Sequence, residues 1–170
     1  MSLNKAQFDK SMALVWQINS NAYNIIIQAI NGLGLKFCQN FEFEDPRVQM
    51  RLLWLRETLE RCQKKGLDIN EPSDIGFSVF AAWTLSGRCP VKQKIAILQC
   101  LYDYGANPLI PTKGGLRLLD LVRQSVYEKK ELVDFIEELS QKAEIEQLKS
   151  KLQENIPKSS SSGLPVKKHL

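Results

Sequence analysis

The side chains that could catalyse a reaction or hold a metal are few and far apart in this sequence. The only histidine, His169, is next to last of 170 residues, which excludes histidine-based triads and most histidine-ligated metal sites within a fold. There are four cysteines, Cys38, Cys62, Cys89 and Cys100, and even the last two, which are nearest each other, are eleven positions apart. This spacing gives no zinc or redox pair, and we expect reduced, partly buried thiols in helices. The sequence predicts no catalytic residue, no metal and no cofactor.

Two other patterns suggest chemistry but have simpler interpretations. Thr112-Lys113-Gly114-Gly115 superficially suggests a phosphate-binding loop, yet Gly-x-x-x-x-Gly-Lys-Ser/Thr is absent and no strand precedes it. The acidic residues between Glu128 and Glu138 alternate with Lys129 and Lys130, as on a solvated helix face; a catalytic carboxylate pair would have to face a pocket. Basic residues are scattered without interleaved aromatics, so nucleic-acid binding is not expected.

The elements that position these residues are organised around four regularly spaced glycines. Gly66 and Gly76 are ten positions apart, as are Gly105 and Gly115, and the second pair repeats the first after thirty-nine positions. Each pair lies between an apolar-periodic helix and the start of another helix. A helix, a turn-rich loop and a second helix in this order form the unit of a repeat protein.

The motifs around these glycines resemble the ankyrin repeat. Gly105-Ala106-Asn107-Pro108 is similar to the family's Gly-Ala-Asp-Pro, and the run from Gly115 to Val122 follows its Gly-x-Thr-Pro-Leu-His-x-Ala; the stretch from Gly66 to Trp83 is a more diverged copy. A consensus repeat has about 33 residues, and residues 84–90 supply the extra length as a longer loop. Both copies lack the motif's Pro and His, and Trp83 replaces a small residue. The resemblance implies an all-α, ankyrin-like repeat stack with extra helices at both ends.

The resemblance also implies which residues face a partner. Loop tips and inner-helix ends are the variable, partner-facing positions of such stacks, and here they are Asp74, Ile75, Phe77, Leu85, Ser86, Lys113, Leu116, Gln124 and Ser125. Phe77 and Leu116 occupy the same position in both copies, where such proteins are often polar. They form either an apolar binding surface or packing beneath the longer loop, and for Leu116 we favour packing.

Four segments follow along the chain. Residues 1–44 contain a helical hairpin and an aromatic linker that either packs on it or is extended, and residues 45–142 hold the ankyrin-like repeats with a capping helix. Asp45-Pro46 is a helix start, after which Val48, Leu52, Leu55, Leu59 and Cys62 share one face. Residues 143–154 are a helical extension, and residues 155–170, rich in Ser, Pro, Gly and Lys, are a disordered tail.

These observations predict a cytoplasmic monomer that binds another protein without catalysis. The net charge is only +4, no apolar run could cross a membrane, and residues 1–12 lack a signal's apolar core. The tail is similar to C-terminal type IV secretion signals, with Ser159 to Ser162 and a final Leu170, so delivery into a host cell as a virulence effector is a more specific expectation. The alternative function is a structural protein that homodimerises through the helix Glu144 to Glu154.

Overall fold

The protein is all-α, as predicted. The computed structural model describes residues 4–32, 43–86, 89–125 and 129–154; of these residues 70% are helical and none is in a strand. Seven helices lie in the described part of the chain: α1 Lys5–Ile18, α2 Ala22–Gly32, α3 Pro46–Lys64, α4 Val79–Thr84, α5 Val91–Asp103, α6 Leu118–Gln124 and α7 Lys130–Glu154. Buried apolar side chains from all seven join one core cluster. The aromatic linker up to residue 42 and the predicted tail with His169 lie outside the described residues.

The predicted N-terminal hairpin is formed by α1 and α2. Asn4 begins α1 with a capping box, because its side chain accepts from the Gln7 N–H while the Gln7 side chain accepts from the Asn4 N–H. Phe8 then stacks on Trp54 of α3, with the ring centroids 5.2 Å apart. Helix α2 packs between α1 and the later helices α3 and α4. The hairpin therefore shares one core with α3 and α4.

Helix α3 begins and packs as its sequence predicts. The Asp45 side chain accepts from the Arg47 N–H and Pro46 is the first helical residue, which satisfies the free donors of the first turn. All five residues of the predicted apolar face, Val48, Leu52, Leu55, Leu59 and Cys62, are buried.

The short helix α4 is held at both ends. Ser78 accepts from the Ala81 N–H at its start, and the buried Lys94 of α5 donates from Nζ to the Thr84 carbonyl at its end, at 3.0 Å. A cation at a helix C-terminus also interacts favourably with the helix dipole. Trp83 is buried within this helix, so it occupies core volume rather than the surface.

Helix α7 contains both the predicted capping helix and the predicted extension. Leu132, Ile136 and Leu139 are buried, and burial ends at Ala143. From residue 144 to residue 154 every side chain is exposed. The first half of α7 closes the core next to α5 and α6, while the side chains of the second half lie at the surface.

Candidate functional site

The two glycine loops have the same backbone conformation at the same places. We call residues 66–77 the first loop and residues 105–116 the second loop. Their glycines have φ angles of 67° at Gly66, 83° at Gly76, 93° at Gly105 and 74° at Gly115. These angles are all in the left-handed region that residues with a Cβ rarely adopt. The regular glycine spacing in the sequence therefore reflects a repeated backbone requirement.

The hydrogen bonds of the first loop recur at the equivalent positions of the second loop. In the first loop, the Leu67 N–H donates to the Cys62 carbonyl at 3.0 Å and the Ser73 N–H to the Phe77 carbonyl at 2.9 Å. The corresponding bonds in the second loop join Ala106 to Leu101 at 3.0 Å and Thr112 to Leu116 at 3.1 Å. A tight turn closes each tip, from Gly76 to Ser73 and from Gly115 to Thr112, both at 2.7 Å. The two loops are copies of one structure.

The side chain of Asn70 joins the bases of the two loops. Its Nδ2 donates to the Gly105 carbonyl at 2.9 Å, and its Oδ1 accepts from the Asn107 N–H at 2.8 Å. Both groups of one amide are thus used by the neighbouring loop. The equivalent residue of the second loop is Leu109, which has no polar group with which to bridge to a further loop.

A direct backbone contact joins the two loop tips. The Lys113 N–H donates to the Gly76 carbonyl at 3.1 Å. At Gly76 an added Cβ would lie 2.2 Å from the Lys113 Cβ, which is too close for two carbon atoms that are not bonded to each other. Glycine is therefore required at this position for two reasons, the positive φ angle and the close approach of the second loop. The contact fixes the two tips relative to each other.

The predicted site residues at the tips differ in exposure. Asp74 and Lys113 are exposed, Ile75 retains 68% of its accessible surface and Leu116 retains 52%. Phe77 is half-buried and packs against the core cluster. The packing that the sequence favoured for Leu116 is wrong, because no element in the described part of the chain covers this side chain. Ile75 and Leu116 thus lie exposed, one on each of the two loops that the contact joins.

The remaining predicted site residues lie at the ends of the short helices. Leu85 and Ser86 follow α4 and are half-buried, and Leu85 packs against the core cluster. Gln124, exposed, is the last residue of α6, and Ser125 follows it. At the end of α4 the Leu85 N–H donates to the Ala81 carbonyl, and at the end of α6 the Ser125 N–H donates to the Val122 carbonyl. In the described part of the chain, hydrogen bonds connect the two tips to each other but not to these four residues.

Sequence reasoning missed Asn70 and the tip contact as structural features. Asn70 lies within the motif that was compared with the ankyrin repeat, shortly after Gly66. Its signal was an Asx residue at a fixed distance from a turn glycine, a residue type that commonly bonds nearby backbone. The tip contact had no local signal because Gly76 and Lys113 are far apart in the sequence.

The residues of the apparent phosphate loop and of the acidic cluster form hydrogen bonds and ion pairs within the protein. Within the apparent phosphate loop, the Lys113 N–H is bonded to Gly76 and the Gly115 N–H to Thr112. In the acidic cluster, Glu137 pairs with Arg123 at 2.9 Å and Glu138 with Lys142 at 2.7 Å. In the described ranges, no three His, Cys, Asp or Glu side chains gather in a way that could hold a metal ion.

No disulfide joins the described cysteines. Cys62 and Cys100 are buried in helices, whereas Cys89 is half-buried in the connection before α5; Cys38 lies outside the described residues. Burial raises the pKa of the Cys62 thiol to about 11, against the opposing charges of Lys65 and Arg61, and burial also raises the pKa of Cys100. Both groups are therefore thiols rather than reactive thiolates at neutral pH.

Comparisons with protein-family models, with curated proteins and with solved structures give no match for this chain. None of the helices in the described part of the chain has both the length and the apolar character that crossing a bilayer requires.

Proposed function

We propose that the chain is a non-catalytic protein-protein interaction module of ankyrin type, and that its partner binds at the two loop tips. The observation that carries the proposal is the exposure of Ile75 and Leu116, at 68% and 52%, on the two loops that the Gly76 to Lys113 contact joins. Large apolar side chains that stay exposed on loops held together in this way are typical of interface cores. The recurrence of the same hydrogen bonds in both loops supports the ankyrin type.

The rigidity of the tips supports binding as well. Three hydrogen bonds hold the second loop to the first, two through Asn70 and one through Lys113. A surface that is already ordered loses little conformational entropy when a partner binds, so more of the contact energy appears as affinity. Asp74 and Lys113, both exposed, add one charge of each sign at the rim and can orient the partner.

The test is an affinity pull-down with mass spectrometry from eukaryotic and bacterial lysates. The wild type is compared with an Ile75→Asp, Leu116→Asp variant, with circular dichroism verifying that the variant folds. The matched control is Ile145→Asp, Leu148→Asp, which changes two apolar residues of similar exposure on α7, 51% and 59%. We expect the tip variant to lose a partner that the α7 variant keeps. A partner that survives the tip substitutions contradicts the proposed surface.

The lysate arms also test the more specific hypothesis of a bacterial effector that acts on host proteins. A partner found only in eukaryotic lysate supports that hypothesis, and one found only in bacterial lysate contradicts it. A translocation reporter that still enters host cells without residues 155–170 would remove the argument from the tail.

A second candidate function is homodimerisation through α7. Ile145, Leu148 and Leu152 are exposed at 51%, 59% and 68% and follow one another at spacings of three and four positions, as on a coiled-coil face. Glu144 and Lys149 flank this face and would pair between parallel copies. Light scattering across a range of concentrations distinguishes the candidates: a monomer at all concentrations rules out the dimer, and a dimer that Leu148→Asp dissociates supports it.

A further inference from the structure

A cleft between α1 and α3 has a different composition at its two ends. This α1–α3 cleft has a volume of about 540 Å³, within the roughly 300–1,000 Å³ of small-molecule sites. Helix α1 contributes Lys5, Phe8 and Trp16 to its walls, and α3 contributes Glu57 and Arg61, with Lys65 just after its end. None of these residues belongs to the loop tips, so the cleft is separate from the proposed protein-binding surface.

The positive charge at one end of the cleft is neutralised within the protein. Lys5 Nζ pairs with the Asp9 carboxylate at 2.9 Å and with the Glu57 carboxylate. Two carboxylates therefore surround one ammonium group, and this end offers no free cation to a ligand.

The other end gathers two cations without a carboxylate. The Arg61 guanidinium carbon lies 4.5 Å and Lys65 Nζ lies 4.9 Å from the Trp16 ring centroid. Among the described residues neither side chain forms an ion pair. The two residues are four positions apart at the end of α3, where like charges repel each other, and both cations lie over the one Trp16 ring. A bound anion would screen this repulsion and accept hydrogen bonds from the exposed Arg61 guanidinium.

The walls beside these cations can hydrogen-bond a ligand. Gln17 lines the cleft and carries an amide group that can donate to an anion, whereas the Thr58 hydroxyl donates to the Trp54 carbonyl at 3.0 Å. Gln17, Lys65 and Trp16 also line an adjoining cleft of about 530 Å³. Lys65 and Trp16 thus stand between two concave spaces. The dipole of α3 favours basic residues at its C-terminus, where Arg61 and the exposed Lys64 both lie in the last turn, and Lys64 is not among the residues that line the cleft.

We propose that the α1–α3 cleft binds a small organic anion, with a phosphate or carboxylate group held between Arg61 and Lys65 next to Trp16. Arg61 supplies paired N–H donors, Lys65 supplies a mobile positive charge, and the half-buried Trp16 ring covers one side of the ligand. The inference does not depend on the proposed protein-binding function, since it uses other residues.

The experiment titrates the full chain with tripolyphosphate and, separately, with citrate at constant ionic strength. Of the three tryptophans, Trp54 and Trp83 are only 4% and 3% exposed, so a saturable change in tryptophan fluorescence reports Trp16. We expect at least one anion to bind and Arg61→Gln, Lys65→Gln to weaken it about tenfold or more, because two charge-assisted contacts are lost. The matched control, Lys64→Gln, removes one charge from the same helix end and should change affinity less than about twofold.

Each outcome decides the proposal. Binding of tripolyphosphate alone identifies a phosphate-bearing ligand, binding of citrate alone a carboxylate, and binding of both a less selective anion site. No saturable binding of either anion overturns the proposal, as does equal weakening by Lys64→Gln, which would indicate non-specific charge attraction. If circular dichroism shows that the double variant is unfolded, Lys65→Gln alone gives the same test, since Lys65 is exposed.

Discussion

Replacing Gly76 by alanine tests whether the two loops form one rigid surface. The glycine has a φ of 83° and carries the carbonyl that accepts the Lys113 N–H at 3.1 Å. An added Cβ would lie 2.2 Å from the Lys113 Cβ and 3.2 Å from its Cα. The Lys113 Cβ is fixed to the backbone, so no side-chain rotation can relieve the overlap. One loop must move away from the other.

The expected cost is the sum of two effects. Holding alanine in the left-handed region costs about 1–2 kcal/mol, and losing the hydrogen bond between the tips costs about 1 kcal/mol more. Alanine restricts the unfolded chain slightly, which returns roughly 0.4–1 kcal/mol. We therefore expect Gly76→Ala to lower the free energy of unfolding by about 2 kcal/mol, and by more if the displaced loop also loses the Asn70 bonds.

Two other glycines serve as matched controls in urea unfolding followed by circular dichroism. Gly115 has a φ of 74° but open space around a Cβ, so Gly115→Ala should cost about 1 kcal/mol, from its backbone conformation alone. Gly114 has neither a positive φ nor a close neighbour, so Gly114→Ala should change stability by less than about 0.5 kcal/mol. Adding Lys113→Gly to Gly76→Ala removes the overlapping Cβ and should recover part of the loss.

The relative costs decide the argument. If Gly76→Ala costs no more than Gly115→Ala, the close approach of the tips does not exist in solution. If Lys113→Gly recovers nothing, the loss at Gly76 comes from its φ angle and not from contact with the second loop. Either result would also remove the rigidity on which the proposed binding surface depends.

Three further changes test the elements that support this surface. Asn70→Ala should lower the free energy of unfolding by about 1–2 kcal/mol, because two bonds between the loops are lost. Asn70→Asp should also destabilise, because a carboxylate oxygen would face the Gly105 carbonyl oxygen to which Nδ2 now donates; equal urea midpoints for all three proteins would contradict this. Ser78→Ala should cost about 1 kcal/mol through loss of the cap on the Ala81 N–H, measured by thermal unfolding. The Arg47 side chain and N–H lower the pKa of Asp45 from 3.8 in the unfolded chain to about 2 in the folded protein. The ionised Asp45 carboxylate therefore stabilises the protein at pH values above 3.8. This stabilisation is lost as the pH falls to about 2. The stability difference between the wild type and Asp45→Asn should therefore shrink over that range, and a difference unchanged by pH would contradict the ion pair.

Much of the local structure follows from the sequence because the responsible interactions span only a few residues. Asp45-Pro46 and Ser78 begin helices through bonds within three positions, and the apolar spacing of α3 identifies its buried face. The glycine spacing predicts two equivalent loops because only glycine readily takes the required φ. The alternating charges of the acidic stretch in α7 likewise predict that its charged side chains face solvent.

Which exposed residues form a surface was decided by the tertiary structure. Phe77 and Leu116 hold equivalent positions in sequence, yet one is half-buried and the other is 52% exposed, because exposure depends on which elements pack nearby. The Gly76 to Lys113 contact brings the loop tips together, and the packing of α1 on α3 brings Trp16 to Arg61. Both contacts join residues that are far apart in the sequence. Local hydrogen bonds and hydrophobic periodicity determine each helix and loop, but only the packing of distant elements determines which side chains remain in solvent together.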